Sequence, residues 1–475
     1  MIEKRMSQTE YLLSFIRGEG VMSFKQQLEL TMRLSIPAIV AQLSYIVMQY
    51  IDASMVGSLG AEASASIGLV STSTWLFWGV CVASATGFSV QVAHHIGAKR
   101  FRQARSVLRQ AFVATTIFSV LLTVGGILIS KPLPIWLGGS EAIHRDASLY
   151  FMIFVLFLPV LQLNFLAGGM LRCSGNMRIP SMLNVLMCVM DVVFNFFLIY
   201  PSRIWSIGGM EVPIPGAGLG VEGAALGTGL AELVTAGLMT WFLCVRSREL
   251  SLIGERGRFW PTKRILQKSF KIGFPMCLEH VVLCGAQILT TVIVAPLGVF
   301  AIAANSFAIT AESLCYMPGY GIADAATTLV GQSLGAGKRE LTRRFARITV
   351  FLGMAVMGVM GAVMYIAAPL IIGIMTPDAE ILSLGVMALR IEVFAEPMFA
   401  AAIVAYGVFV GTGDTLVPSV MNFGSIWAVR LTLAAWLAPS MGLKGVWLAM
   451  CIELCFRGMI FLIRLEKGKW IKIKR

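Results

Sequence analysis

Twelve long apolar runs constrain this chain more than any other feature. They span 34–56, 67–93, 108–130, 147–171, 180–200, 219–244, 271–296, 302–333, 346–368, 380–410, 418–438 and 442–464. A bilayer core needs about 20 apolar residues per helix, and each run is long enough. Lipid offers no partner for backbone polar groups, so only helices and closed barrels cross it. Runs of this length select helices. The expected fold class is therefore all-α, a polytopic membrane protein with 12 transmembrane helices. Composition agrees: 57% of residues are hydrophobic and 13% charged, against about 45–50% and about 25% in soluble domains. The net charge of +13 would suit nucleic acid on the basic face of a soluble domain. Here the cations sit between apolar runs, so topology explains them.

Lys and Arg orient the spans. With the N-terminus inside, the inner segments hold 31 of the 38 Lys and Arg, the outer loops four and the spans three. That bias places both termini in the cytoplasm. Residues 1–33 lack the short apolar core and cleavage site of a signal peptide and read as a cytoplasmic, partly amphipathic leader. The remaining divisions are a first six-helix lobe (34–245), a basic linker (246–270), a second lobe (271–464) and a basic tail (465–475). The nine cysteines show no zinc spacing and mostly lie inside apolar runs.

The lobes repeat one another at an offset of 238 residues. Pro37 matches Pro275, Pro159 matches Pro397, and Pro180-Ser181 matches Pro418-Ser419. The offset falls to 222 by Gly223 and Gly445, so the first lobe carries about 16 extra residues, placed in the loop "PSRIWSIGGMEVPIPGAG". Six spans per repeat give both lobes the same topology and a pseudo-two-fold axis along the membrane normal. Paired lobes with buried charges are a transporter architecture.

The stretch "LVGQSLGAGKR" (329–339) looks at first like a phosphate loop. A Walker A motif needs four residues between its glycines, then Gly-Lys and a hydroxyl residue, after a strand. Gly331 and Gly337 are separated by five residues, Arg339 replaces the hydroxyl, and the stretch closes an apolar helix. Its repeat partner "IGAKR" (96–100) is no phosphate loop either. Both read as helix C-termini, with glycine supplying a left-handed cap and cations facing the negative dipole end.

"MPGYGIADAATTLVGQSLGAGK" (317–338), "YIDASMVGSLGAEASASIGL" (50–69), "GFPMCLE" (273–279), "GVEGAALGT" (220–228) and "GLKGVWLA" (442–449) together resemble the multidrug and toxic compound extrusion transporters over nearly the whole chain. The resemblance implies a V-shaped pair of six-helix lobes. It also implies export of organic, often cationic, compounds in exchange for sodium or protons.

An ionisable side chain inside a span is a functional candidate by default. Asp52, Asp191, Asn195 and Thr228 all fall between the midplane and the outer half of the first lobe, judged by helical rise. Asp191 and Asn195 are four apart and share a helix face. Two carboxylates, an amide and a hydroxyl are all-oxygen ligands for a hard cation such as sodium. They equally suit a carboxylate pair sharing one proton. The family resemblance implies the same cation site, with its usual Asn-then-Asp order reversed in the fifth span. In the second lobe, Glu279, Glu312, Glu392 and Glu396 are candidates for cation or substrate binding. Glu392 and Glu396 are expected to share a face of span ten, with Arg390 or Arg430 as neutralising partners. Asp324 is assigned Arg430 as a partner, and Glu453 is assigned Arg457. His94 and His95 read as loop polarity, and His280 as hydrogen-bonded structure. Pro37 is a candidate hinge.

No nucleophile–base pair, metal-ligand spacing or cofactor loop supports an enzyme. The expected function is a secondary antiporter, without a cofactor, in the plasma membrane. Its partners are small organic substrates, sodium or protons, and lipid, and it acts as a monomer without nucleic acid. The alternatives are a lipid-linked saccharide flippase, which needs a cationic cavity, and a non-transporting scaffold or channel.

Overall fold

The computed structural model describes residues 7–207 and 210–472, so the first six residues of the expected leader and the last three of the tail lie outside it. Ser7 starts α1 (Gln8–Arg17) with a capping box: its hydroxyl accepts from the Glu10 amide at 3.2 Å while its own amide donates to the Glu10 carboxylate at 3.0 Å. Ser23 and Gln26 start α2 (Phe24–Gly57) in the same way.

The first lobe continues with α3 (Ala61–Gly97), α4 (Phe101–Ser130), the single turn α5 (Leu133–Trp136), α6 (Glu141–Leu156), α7 (Leu158–Cys173) and α8 (Arg178–Ile199). A hairpin of β1 (Pro201–Ile207) and β2 (Met210–Ala217) leads to α9 (Val221–Trp241). The second lobe comprises α10 (Lys263–Val294), α11 (Val299–Gly335), α12 (Arg339–Met375), α13 (Ala379–Glu392), α14 (Glu396–Thr412), α15 (Leu416–Gly424), α16 (Thr432–Met441) and α17 (Leu443–Lys467). A π-helical turn, Ser425–Leu431, joins α15 to α16. Among the described residues ten helical stretches are long and apolar enough to cross a bilayer, α15 and α16 with the turn between them counting as one, and counting each of two bent helix pairs as one span gives twelve. The hairpin is the extra loop of the first lobe, with Trp205 paired to Val212.

Two of the expected spans are bent helix pairs. The run 147–171 breaks by 45° between α6 and α7, and the run 380–410 by 61° between α13 and α14. The cause is the repeat prolines. Pro159 and Pro397 each sit in the first turn of the second helix. A proline there removes one amide donor and clashes with the carbonyl a turn earlier. Pro37, in contrast, stands inside α2 without interrupting it.

The lobes meet where α2 packs on α11, and where α3 packs on α10 and α11. At the end of the bundle where most Lys and Arg gather, here called the basic end, α3 and α11 cross backbone to backbone. A Cβ on Gly97 would lie 2.0 Å from the Gln332 carbonyl oxygen, and one on Gly335 would lie 2.1 Å from that of His94. Gly97 and Gly335 are repeat partners, and so are His94 and Gln332. The crossing is therefore self-complementary and lies on the pseudo-two-fold axis. Just beyond it, Gly337 adopts φ 75° and its repeat partner Lys99 adopts φ 59°. Glycine supplies the expected left-handed cap at Gly337, whereas in the first lobe Lys99, and not Gly97, takes that conformation. His94 is not loop polarity: its Nε2 bonds the Gly411 carbonyl of the other lobe at 2.8 Å.

Helix α1 precedes the first lobe yet packs its buried face, Leu12, Leu13 and Ile16, into the core of the second lobe with Leu329, Phe345 and Phe409. Arg17 ties it across the seam. Its guanidinium pairs with Glu249 of the linker at 2.9 Å, donates to the Ser174 carbonyl of the first lobe at 3.0 Å and reaches Gln332 of the second at 3.4 Å. Lys338 bonds the Phe15 carbonyl at 2.7 Å.

Candidate ion and substrate sites

The first-lobe candidates come together. Asp52 sits near the end of α2, Asp191 and Asn195 lie one turn apart on α8, and Thr228 is on α9. Asn195 Nδ2 donates to Asp52 Oδ1 at 2.9 Å and to Asp191 Oδ2 at 3.2 Å. One amide thus holds both carboxyl groups. Asp191 and Asn195 are fully buried. Thr228, next to Gly227 on α9, donates to the Ala224 carbonyl at 3.1 Å. Asp191 Oδ1 and Asn195 Oδ1 have no partner, although buried polar atoms are nearly always paired. Two unmatched oxygens beside a second carboxylate and a hydroxyl fit a hard cation and fit a shared proton equally. Gly227 makes the arrangement possible: a Cβ there would lie 1.9 Å from Asn195 Oδ1.

The second-lobe candidates divide. Glu279 accepts from Tyr406, from Ser419 Oγ at 2.8 Å and from Asn422 Nδ2 at 2.6 Å. Three donors fix that carboxylate in place. Glu312, Glu392 and Glu396 form a separate buried group, each with an oxygen within 4.8 Å of the others. Both oxygens of Glu392 and of Glu396 lack partners. Glu392 and Glu396 do not share one helix face as expected; they flank the 61° break, one ending α13 and the other starting α14. The proline break, and not helical spacing, aims them together at Glu312 of α11. Three carboxylates this close demand protons or a cation among them.

The expected arginine partners are also reassigned. Arg390 bonds the Tyr365 carbonyl at 3.2 Å and stacks over its ring. Arg430, carried by the π-helical turn, pairs with Glu453 at 2.7 Å, and Arg457 pairs with the same Glu453 at 2.8 Å. Asp324 faces Arg172 of the first lobe at 3.9 Å instead of Arg430. His280 packs edge-on against Trp75 at 5.8 Å, and its Nδ1 has no partner.

Between the lobes lies a cavity of about 640 Å³ lined by both, with Tyr45, Trp75, Trp78, Phe165, Tyr316, Tyr320 and Tyr406 among its aromatic walls. Its acids are Glu232, Glu279, Glu312 and Asp324, and its cations Arg172, Arg430 and Arg457. All three arginines face acids. None of Asp52, Asp191, Asn195 and Thr228 lines it, so the first-lobe cluster lies behind the cavity wall. Sequence reasoning missed Glu232, Asn164 and the Tyr406–Ser419–Asn422 donors. Glu232 had a usable signal, since it follows Thr228 by four residues on α9.

The family model MatE matches residues 37–197 and 275–436, one copy in each lobe. The chain belongs to the MatE family, the multidrug and toxic compound extrusion transporters. This is a family of multi-pass membrane transporters and not of enzymes. The chain is similar to the probable multidrug resistance protein NorM of Thermotoga maritima, with 26% identity covering 97% of this chain and 96% of that protein. It is also similar to the multidrug resistance protein NorM of Burkholderia vietnamiensis, with 25% identity covering 88% and 89%. Among solved structures it shares the fold of an outward-facing multidrug resistance MATE transporter, at TM-score 0.86, 21% identity, and 96% and 98% coverage. The Vibrio cholerae MATE transporter VcmN, solved in its bent form, matches at TM-score 0.82, 18% identity, and 98% coverage of each chain.

Proposed function

We propose that this MatE transporter exports lipophilic organic cations, drugs or toxic metabolites, across the plasma membrane in exchange for sodium ions or protons. The basic end and both termini face the cytoplasm. The observation that carries the reading is the bridge of Asn195 between Asp52 and Asp191, with two buried oxygens left unmatched behind the wall of an aromatic, acid-bearing cavity. A coupling ion or proton in that cluster satisfies those oxygens and relieves the repulsion of the two carboxylates. It thereby changes how α2 packs on α8 and α9. Because α2 also packs on α11 of the other lobe, the change reaches the seam along which the lobes part. The Glu312–Glu392–Glu396 group is a second place where cations or protons can be taken up.

A saccharide–pyrophosphate flippase fits the cavity poorly, since each lining arginine is already engaged by an acid. A scaffold or channel does not need two repeated lobes with buried carboxylates. The deciding experiment uses the purified full chain in liposomes loaded with a lipophilic cation, with sodium and pH gradients imposed separately. Efflux driven by one or both gradients supports the reading. Efflux indifferent to both overturns it.

A further inference from the structure

The first-lobe wall of the cavity holds a carboxylate that the ion cluster leaves unused. Glu232 lies one turn past Thr228 on the same face of α9. It lines the cavity, as Tyr45, Trp78, Asn164 and Phe165 do. The helix that carries it, α9, packs on α6, α7 and α8. Among the described residues no cation pairs with it. The cavity arginines are committed elsewhere, to Asp324 and Glu453. Asn164, on the neighbouring α7, is 8% exposed, and its Oδ1 has no partner. The Trp78 and Phe165 rings meet edge-on at 5.3 Å.

An unpaired carboxylate, an amide oxygen awaiting a donor and aromatic faces are together the chemistry that recognises a positively charged nitrogen. We infer that Glu232 binds the cationic group of the exported substrate, and that its placement one turn from Thr228 makes substrate and coupling ion antagonistic. A cation held by Asp52 and Asp191 occupies the field that Glu232 offers, so the second positive charge binds less well. Exchange follows from this: the ion arriving behind the wall weakens the substrate in front of it. The inference rests on the ion-site reading above, and its test separates the two.

The full-length transporter in nanodiscs is titrated with ethidium, a lipophilic cation, and with Nile red, an uncharged lipophile, in the presence and absence of the driving ion. In the wild type the ion weakens ethidium several-fold and leaves Nile red unchanged. Glu232→Gln raises the ethidium Kd at least tenfold, leaves Nile red within twofold and removes the effect of the ion. Glu232→Asp, which keeps the charge, recovers most of the ethidium affinity. Equal ethidium affinity in wild type and Glu232→Gln overturns the inference, as does an equal loss of both dyes. Wild-type ethidium binding that ignores the ion overturns it without any variant. Asp52→Asn reports on the other reading: if that variant still shows ion-driven efflux, the ion site is misplaced, whatever the dyes show at Glu232.

Discussion

Gly227→Ala adds one methyl group to α9 and tests the first-lobe cluster at its tightest point. The new Cβ would lie 1.9 Å from Asn195 Oδ1, so the pair must separate by about 1.1 Å to reach even 3.0 Å. Neither group can yield easily, because Asn195 is fully buried and Gly227 is helical backbone. The movement carries the Asn195 amide beyond bonding range of at least one of Asp52 and Asp191, now 2.9 and 3.2 Å away. A hydrogen bond to a charged group contributes about 1.5–3 kcal/mol. Losing one weakens ion binding roughly tenfold or more, and losing both by about two to four powers of ten, at 1.4 kcal/mol per tenfold. Gly237→Ala is the control, since a Cβ there meets nothing within 4 Å on the same helix. The assay is the concentration of driving ion that gives half-maximal efflux in proteoliposomes, paired with the thermal shift that ion produces in detergent. Gly227→Ala is expected to raise the first at least tenfold and to abolish the second, with Gly237→Ala like wild type. A Gly227→Ala protein with wild-type ion dependence refutes the claim that Asn195 organises the ion site.

Three further outcomes are expected. Gly97→Ala sets a Cβ 2.0 Å from the Gln332 carbonyl oxygen and strains the bonds from His94 to Gly411 and from Gln332 to Cys173, both 2.8 Å. At about 0.5–1.5 kcal/mol each, their loss widens the spin-label distance across the basic end, and an unchanged distance distribution contradicts the crossing. Arg17→Ala releases α1 from the first lobe and the linker; a loss of about 1–3 kcal/mol shifts the lobes about 5–150-fold toward opening at the basic end. That shift is read as faster alkylation of a cysteine placed at Thr328, and unchanged labelling argues that α1 does not latch the seam. Lys99→Gly relieves a left-handed non-glycine residue, worth about 1 kcal/mol, and raises the melting temperature; a lower one contradicts the strain.

The spans, the duplication and the helix ends at Gly97 and Gly335 were legible because each depends on local pattern: apolar length, a constant offset, and glycine before cations. Asp191 and Asn195 were legible as a pair because four residues on a helix bring side chains together whatever surrounds them. The second lobe defeated the same rule. Glu392 and Glu396 are also four apart, but Pro397 breaks the helix between them, and their true companion, Glu312, comes from another helix. The proline repeat at 159 and 397 was visible, yet its effect on the path of the chain was not read from it. Asp324 found Arg172 because the two lobes are in contact at the basic end, a register that no intra-lobe spacing encodes. The docking of α1 on the opposite lobe was hidden for the same reason: its amphipathic face shows that it lies on something apolar, not on what.

The central claim is that Asp52 and Asp191 carry the coupling ion separately from the substrate. Asp52→Asn keeps the shape and one acceptor while removing a charge. In proteoliposomes with the driving gradient imposed, the account predicts that this variant loses gradient-driven efflux by at least tenfold while binding the lipophilic cation with near wild-type affinity. Driven efflux at the wild-type rate, or substrate binding lost together with efflux, contradicts it.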